Sequence, residues 1–250
     1  MSAKIKIEAN NITKQFERKI ALSSLSFSIK EGEMIALIGP SGAGKTTLLN
    51  TIAGLVPIQS GELLIDGKSH VSYKNGKALA KKVGVIRQQF DLIGPLAVIH
   101  NVLAGRLVEW GLFKSLFSLL IPREKNLAIN ALERVGLGDK VYEITSSLSG
   151  GEQQRVAMAR LLVQKPEVIL ADEPVASLDP ARAEDVLSML TKIVTEEKQT
   201  LIASLHSVEY ARKYFTRIIS LKNGEIFFDL PTDQVTDEML MDLYQIMEQM

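Results

Sequence analysis

Between an apolar run and a helix-like run lies the stretch Gly39, Pro40, Ser41, Gly42, Ala43, Gly44, Lys45, Thr46, followed by Thr47. It has the spacing G-x-x-x-x-G-K-[ST], in which backbone N–H groups wrap around phosphate oxygens. Gly42 and Gly44 let the backbone approach closely, Lys45 can reach the β- and γ-phosphates, and the Thr46 hydroxyl can ligate Mg²⁺. Met34 to Ile38 reads as a buried strand and Lys45 onward as a helix, so the positive helix end adds to the anion site. A chance glycine-rich turn would not place strand and helix in register. A nucleotide–metal site also needs a carboxylate at a strand end, and "VILADEP" supplies Asp172 to hold Mg²⁺ and Glu173 to polarise an attacking water. Adjacent acids can be no more than a solvated turn, but Lys45 upstream favours the metal reading. Pro174 restricts the residue before it, so Glu173 is expected to be extended. Phosphoryl transfer from ATP to water is the chemistry these groups can do.

A second glycine-rich helix start is "SLSGGEQQR", Ser147 to Arg155. Ser149, Gly150, Gly151 and Glu152 have the S-x-x-E spacing of a capping box, and "EQQRVAMARLL" continues as a helix. Helix N-termini suit anions, yet this one carries no lysine. Alone it would only start a helix, but its place between the phosphate loop and "ADEP" makes the longer string more specific.

These residues need a framework to hold them. The early runs "KIKIEA", "LSFSI", "MIALI" and "GELLIDG" read as strands, an antiparallel layer leading into a buried strand. From about Ala97 to Lys165 the pattern is helical, punctuated by Pro122 and Gly136. Then strands "VILA", "TLIASL" and "RIISLK" alternate with helices "ARAEDVLSMLTKIV" and "SVEYARKYF", which implies a parallel sheet with right-handed crossovers. The expected fold is α/β, a P-loop NTPase-type parallel core with an antiparallel β subdomain and an inserted helical subdomain. We expect one domain over 1–250, with the β and nucleotide-binding part at about 1–87, the helical part at about 88–165, and a return to the α/β core at 166–250.

At 250 residues the chain can bury one large core, and 29 basic against 29 acidic residues leave no excess for a nucleic-acid footprint. There is no cysteine, hence no disulfide or thiolate metal site. The start "MSAKIKIEAN" lacks the apolar core of a signal peptide, and runs such as "LFSLLI" fall short of the roughly 18 residues of a spanning helix. We expect a soluble chain in the cytoplasm.

Taken in order, these motifs resemble those of the ATP-binding cassette ATPases over essentially the whole chain. "LSGGEQQR" resembles that family's signature sequence, and "ASLDP" (Ala176 to Pro180, with Asp179) its D-loop. The resemblance implies ATP and Mg²⁺ as cofactors and a head-to-tail dimer. In that dimer the signature loop of one copy covers the γ-phosphate held by the other, with Ser149 and Gly151 donating to it. It also implies that Gln88 in "IRQQFDL" is the Q-loop glutamine near Mg²⁺ and water, and that His206 in "SLHSVEYA" faces the γ-phosphate. Phe16 in "ITKQF" would stack on adenine. Two departures are Arg87, where an aromatic is common, and Phe16, where tyrosine is more usual.

Within the family the chain is most similar to the ATPase subunits of phosphonate importers. The stretches that carry this are "RQQFDLIGPLAV", "WGLFKSLFSLLIPREK", "ILADEPVASLDP" and "SLHSVEYA". The implied role is powering uptake of a phosphonate or phosphite-like oxyanion from the cytoplasmic face of the membrane. The implied partners are a second copy, two membrane permease subunits and, indirectly, a solute-binding protein; nucleic acid is not among them. In the insertion, Leu112, Phe113, Leu116, Phe117, Leu119 and Leu120 form an apolar stripe, either packed in the helical lobe or docked toward the membrane partners. The tail "DLPTDQVTDEMLMDLYQIMEQM" reads as an amphipathic helix on the fold, too short for a regulatory domain. The alternative readings are an exporter, or an envelope-protein machine such as lipoprotein release or cell division. A soluble cassette on DNA or ribosomes lacks its coiled coil here, and a metabolic kinase leaves the signature loop unexplained.

Overall fold

Two long strands start the fold: Ile7, Ala9 and Ile12 of β1 (Ile5–Phe16) and Leu22, Leu25, Phe27 and Ile29 of β2 (Lys19–Lys30) join one core, alternating except where register shifts around Ile12 and Leu25 break the period of two. The computed structural model describes residues 4–17, 19–73, 76–87, 90–110, 124–176 and 178–244. β1 pairs antiparallel with β2 and with β4 (Ser60–Ile65), and β4 with β5 (Lys68–Ser69). The second sheet has six strands in the order β10-β9-β3-β8-β7-β6. These are β3 (Met34–Ile38), β6 (Val83–Ile86), β7 (Val168–Asp172), β8 (Thr200–Ser204), β9 (Arg217–Lys222) and β10 (Glu225–Pro231). All pairings are parallel except β10 against β9.

The central strands are apolar on both faces because both faces are covered. Ile35 and Leu37 of β3 and Val168 and Leu170 of β7 join the core shared with the antiparallel sheet and α1 (Lys45–Ile52). Ala36, Ile38, Ile169 and Ala171, one residue out of phase, join the helices on the other side. Those helices include α3 (Val98–Leu103), α4 (Lys125–Arg134), α5 (Gly150–Gln164), α6 (Pro180–Glu196) and α7 (Val208–Tyr214). The remaining helices are α2 (Gly76–Lys82) and α8 (Asp237–Tyr244), the latter within the tail expected to be helical. No helix among the described residues is long and apolar enough to cross a membrane.

The helical reading of 97–165 is too generous. Gly136 ends α4 with φ +72°, and up to Ser149 the chain runs in turns with one 3-10 turn. That segment has a partner to serve: the Glu143 and Val141 carbonyls accept from Val98 and Ile99, satisfying N–H groups that α3 leaves free at its first turn. Strands β6 and β10 are further elements that the sequence reading passed over. The apolar insertion stripe from Leu112 to Leu120 lies outside the described residues.

A partly buried ion cluster locks the antiparallel layer to the parallel sheet. Lys6 of β1, almost fully buried, reaches Asp66 at 2.8 Å and Glu167 at 2.7 Å, while Lys82 pairs with both acids. Burial opposes ionisation of Asp66, but the two ammonium groups hold its carboxyl well below the usual carboxylate range.

Candidate functional site

The phosphate loop leaves β3 and is wedged between neighbours that only glycine tolerates. A Cβ on Gly39 (φ +144°) would lie 2.1 Å from the Leu221 carbonyl oxygen, and one on Gly44 (φ +107°) 2.4 Å from that of Ala21. The loop is braced further by hydrogen bonds from Ala43 N to Pro40 O and from Gly224 N to Ala43 O. Lys45 opens α1, and its Nζ donates to the Gly39 and Pro40 carbonyls at 2.6 and 3.1 Å. Burial pulls the Lys45 pKa down, against the pull of the Glu173 and Asp172 carboxylates. The ammonium therefore rests inside its own loop, beside acids on the next wall of the site.

Those acids end β7. Thr46 Oγ1 donates to Asp172 Oδ1 at 3.2 Å, and Ser204 Oγ donates to the same oxygen at 2.7 Å. Ser204 in turn accepts from the Glu173 N–H at 2.8 Å. Glu173 Oε1 accepts from His206 Nε2 at 2.7 Å. Pro174 leads one to expect an extended Glu173, but the residue has φ +49° and lies in the left-handed region. The bond to Ser204 and the turn closed by Ala176 N on the Glu173 carbonyl outweigh the local preference.

A cavity of about 290 Å³ faces these groups, lined by Phe16, Lys19, Ser41, Gly42, Lys45, Thr46, Thr47 and Glu173 among others. Phe16 stands at the end of the β1–β2 hairpin, half-exposed, with Lys14 Nζ 4.8 Å from its ring centroid. The fold thus gathers Phe16, the phosphate loop and Glu173 round one space. Thr46 Oγ1 and Asp172 Oδ1 provide two hard oxygen donors side by side, a set that suits Mg²⁺, which completes its shell with phosphate oxygens and water.

The signature residues stand apart from that cavity. Ser149 caps α5: the Glu152 N–H donates to Ser149 Oγ at 3.4 Å, and the Ser149 N–H donates to Glu152 Oε2 at 2.8 Å. The hydrogen bonds from the Ser149 hydroxyl and N–H lower the Glu152 pKa. A Cβ on Gly150 or Gly151 would meet nothing within 4 Å. Asp179 is likewise outside the cavity lining and acts as the N-cap of α6, accepting from Arg182 N at 3.1 Å. Gln88 lies outside the described residues.

Two hydrogen-bonding residues that brace these elements escaped the sequence reading. Ser204 is fully buried, and its signal was a hydroxyl at the C-terminal end of a strand that is apolar between Thr200 and it, two residues before His206. Arg160 on α5 donates to the Phe90 and Asp91 carbonyls at 2.9 and 3.0 Å, anchoring the loop after β6 to the signature helix. Nothing local in "MARLL" marks it.

Residues 22–176 match the family described as ABC transporter. Over 98% of its length the chain is 44% identical to the "Phosphonates import ATP-binding protein PhnC 1" of Nostoc sp., covering 94% of that protein. It is 42% identical to the protein of the same name from Halalkalibacterium halodurans, over 95% of this chain and 94% of that one. Among solved structures, the dimeric MJ0796, a bacterial ABC transporter cassette, superposes with a TM-score of 0.77 at 32% identity, over 90% of this chain and 98% of that one. A dimeric post-hydrolysis state of MJ0796 bound to ADP and Pi gives 0.75 at 31% identity, with the same coverage. A family match over more than half the chain, joined to relatives alike from end to end, makes this protein a member of the ABC transporter family.

Proposed function

We propose that the chain is the ATP-hydrolysing subunit of an importer that takes up phosphonates or phosphite-like oxyanions. It works at the cytoplasmic face of the membrane as a head-to-tail dimer beneath two permease subunits, fed indirectly by a solute-binding protein. The observation that carries the reading is the end-to-end likeness to proteins named for phosphonate import. On this reading the chain is one cassette whose β and nucleotide-binding part spans about 1–87, its helical part about 88–165 and its returning core 166–250.

The site supports a direct mechanism. Backbone N–H groups of the loop from Ser41 to Thr47 and the Lys45 ammonium bind the β- and γ-phosphates, and Phe16 stacks on the adenine. Thr46, Asp172 and Gln88 would hold Mg²⁺, which neutralises charge on the phosphate oxygens when bound. Glu173, held by Ser204 and His206, orients the attacking water, and His206 faces the γ-phosphate. Ser149, Gly150, Gly151 and Glu152 close the site of the other copy, with Asp179 at the same seam. Gly150 and Gly151 support this, because consecutive glycines weaken a helix and nothing among the described residues crowds them.

The test is to capture tagged Glu173→Gln chain with ATP from detergent-solubilised native membranes and identify its companions by mass spectrometry. A multispan permease accompanied by a phosphonate-type binding protein is the expected result. An export or division protein in their place would overturn the import assignment.

A further inference from the structure

The helix α5 carries the signature loop at its start, and one turn further in it touches the chain's own hydrolytic centre. Gln154 is fully buried, and its Nε2 donates to the carbonyl oxygen of Pro174, the residue that follows Glu173. Its Oε1 has no hydrogen-bond partner among the described residues. An amide that leaves its acceptor orphaned in the interior costs stability, and an apolar side chain of the same length would avoid that cost. What the amide contributes is a fixed link between α5 and the turn that holds Glu173 in its left-handed conformation.

We propose that Gln154 is a positioning residue that couples the two nucleotide sites of the dimer through a single chain. This rests on the head-to-tail reading above. In that dimer Ser149 serves the nucleotide of the other copy, whereas Glu173 serves the chain's own. Ser149 and Gln154 are five residues apart on one rigid helix, roughly 7.5 Å of axial rise. A shift of α5 when Ser149 engages the other copy's phosphate therefore reaches the Glu173–Pro174 turn through one hydrogen bond. The turn is held from the other side by Ser204, so Gln154 and Ser204 together fix the backbone from which the Glu173 carboxylate reaches His206.

The experiment is a double-mutant cycle on steady-state ATP hydrolysis, using the full chain in its transporter complex. Gln154→Met keeps length and removes the donor. It should lower kcat about 10- to 100-fold, the scale of a misplaced catalytic group, with KM for ATP changed less than about twofold. Gln154→Asn retains an amide but falls one methylene short, and it should lose kcat in the same way; it gives the reading if the Met variant does not fold. Combined with Ser149→Ala, either variant should cost little more than Ser149→Ala alone. An unchanged kcat with only a lower Tm would reduce Gln154 to a packing residue and overturn the proposal. Strictly additive losses would overturn the coupling. Glu173→Gln is measured alongside: hydrolysis that survives it would refute the site reading itself, a failure distinct from either of these.

Discussion

The two glycine-rich helix starts of this chain use glycine for opposite reasons. In the phosphate loop, Gly39 and Gly44 have left-handed backbone and are walled by the Leu221 and Ala21 carbonyls, so the loop is rigid before any nucleotide arrives. At the start of α5, Gly150 and Gly151 face open space among the described residues, and the Ser149–Glu152 box is closed on itself apart from an ion pair of Glu152 with Lys140 at 3.4 Å. The first is a complete half-shell with cation, hydroxyl and carboxylates in place. The second, on the proposed reading, is a donor surface whose acceptor is the nucleotide of another copy. A preorganised site and an unfinished one, linked by Gln154 as proposed above, are what the proposed head-to-tail dimer requires.

That contrast can be broken at its strongest point first. Lys45→Ala should reduce hydrolysis about 10³-fold and abolish nucleotide binding by the isolated chain, read by a fluorescent ATP analogue. Gly44→Ala and Gly151→Ala sharpen the difference. The former should lower Tm and lose nucleotide binding together, because the new methyl meets backbone. The latter should leave binding intact and Tm unchanged or slightly raised while hydrolysis falls about 100-fold, because its methyl favours the helix and obstructs only an approaching partner.

Smaller effects belong to the framework. Asp66→Asn should destabilise the chain by about 1–2 kcal/mol, seen in urea unfolding, since it removes one of the two carboxylates that pair with buried Lys6 and leaves only Glu167. The depressed Asp66 pKa fixes the sign with pH. Its contribution is present above the unfolded value of about 3.9 and is lost as pH falls through the lower folded value, so Asp66→Asn should narrow its gap to the parent in acid. Ser149→Ala should cost about 1 kcal/mol of stability through the lost cap, well below its effect on hydrolysis.

Much of this was legible because phosphate chemistry is done by contiguous sequence. The loop from Gly39 to Thr47 and the Asp172–Glu173 pair each sit on one strand end, so spacing alone reveals them. The parallel sheet was legible too, since "MIALI" and "TLIASL" are apolar without alternation, as doubly covered strands must be. Groups that act across sequence were not. Ser204, Gln154 and Arg160 matter through contacts with residues 20 to 70 positions away, and no local pattern announces them. The conformation of Glu173 went against the local rule for a residue before proline because tertiary hydrogen bonds override it. The stretch before α5 misled by composition, since its backbone serves α3 instead of continuing as helix.

The central claim is that the nucleotide site is finished only by a second copy of the chain. Sedimentation of Glu173→Gln with and without ATP tests it most directly, with bound nucleotide measured in the same samples. The account predicts monomer without ATP, dimer with ATP, and monomer again when Lys45→Ala is added. A Glu173→Gln chain that binds ATP to saturation and still sediments as a monomer would contradict it.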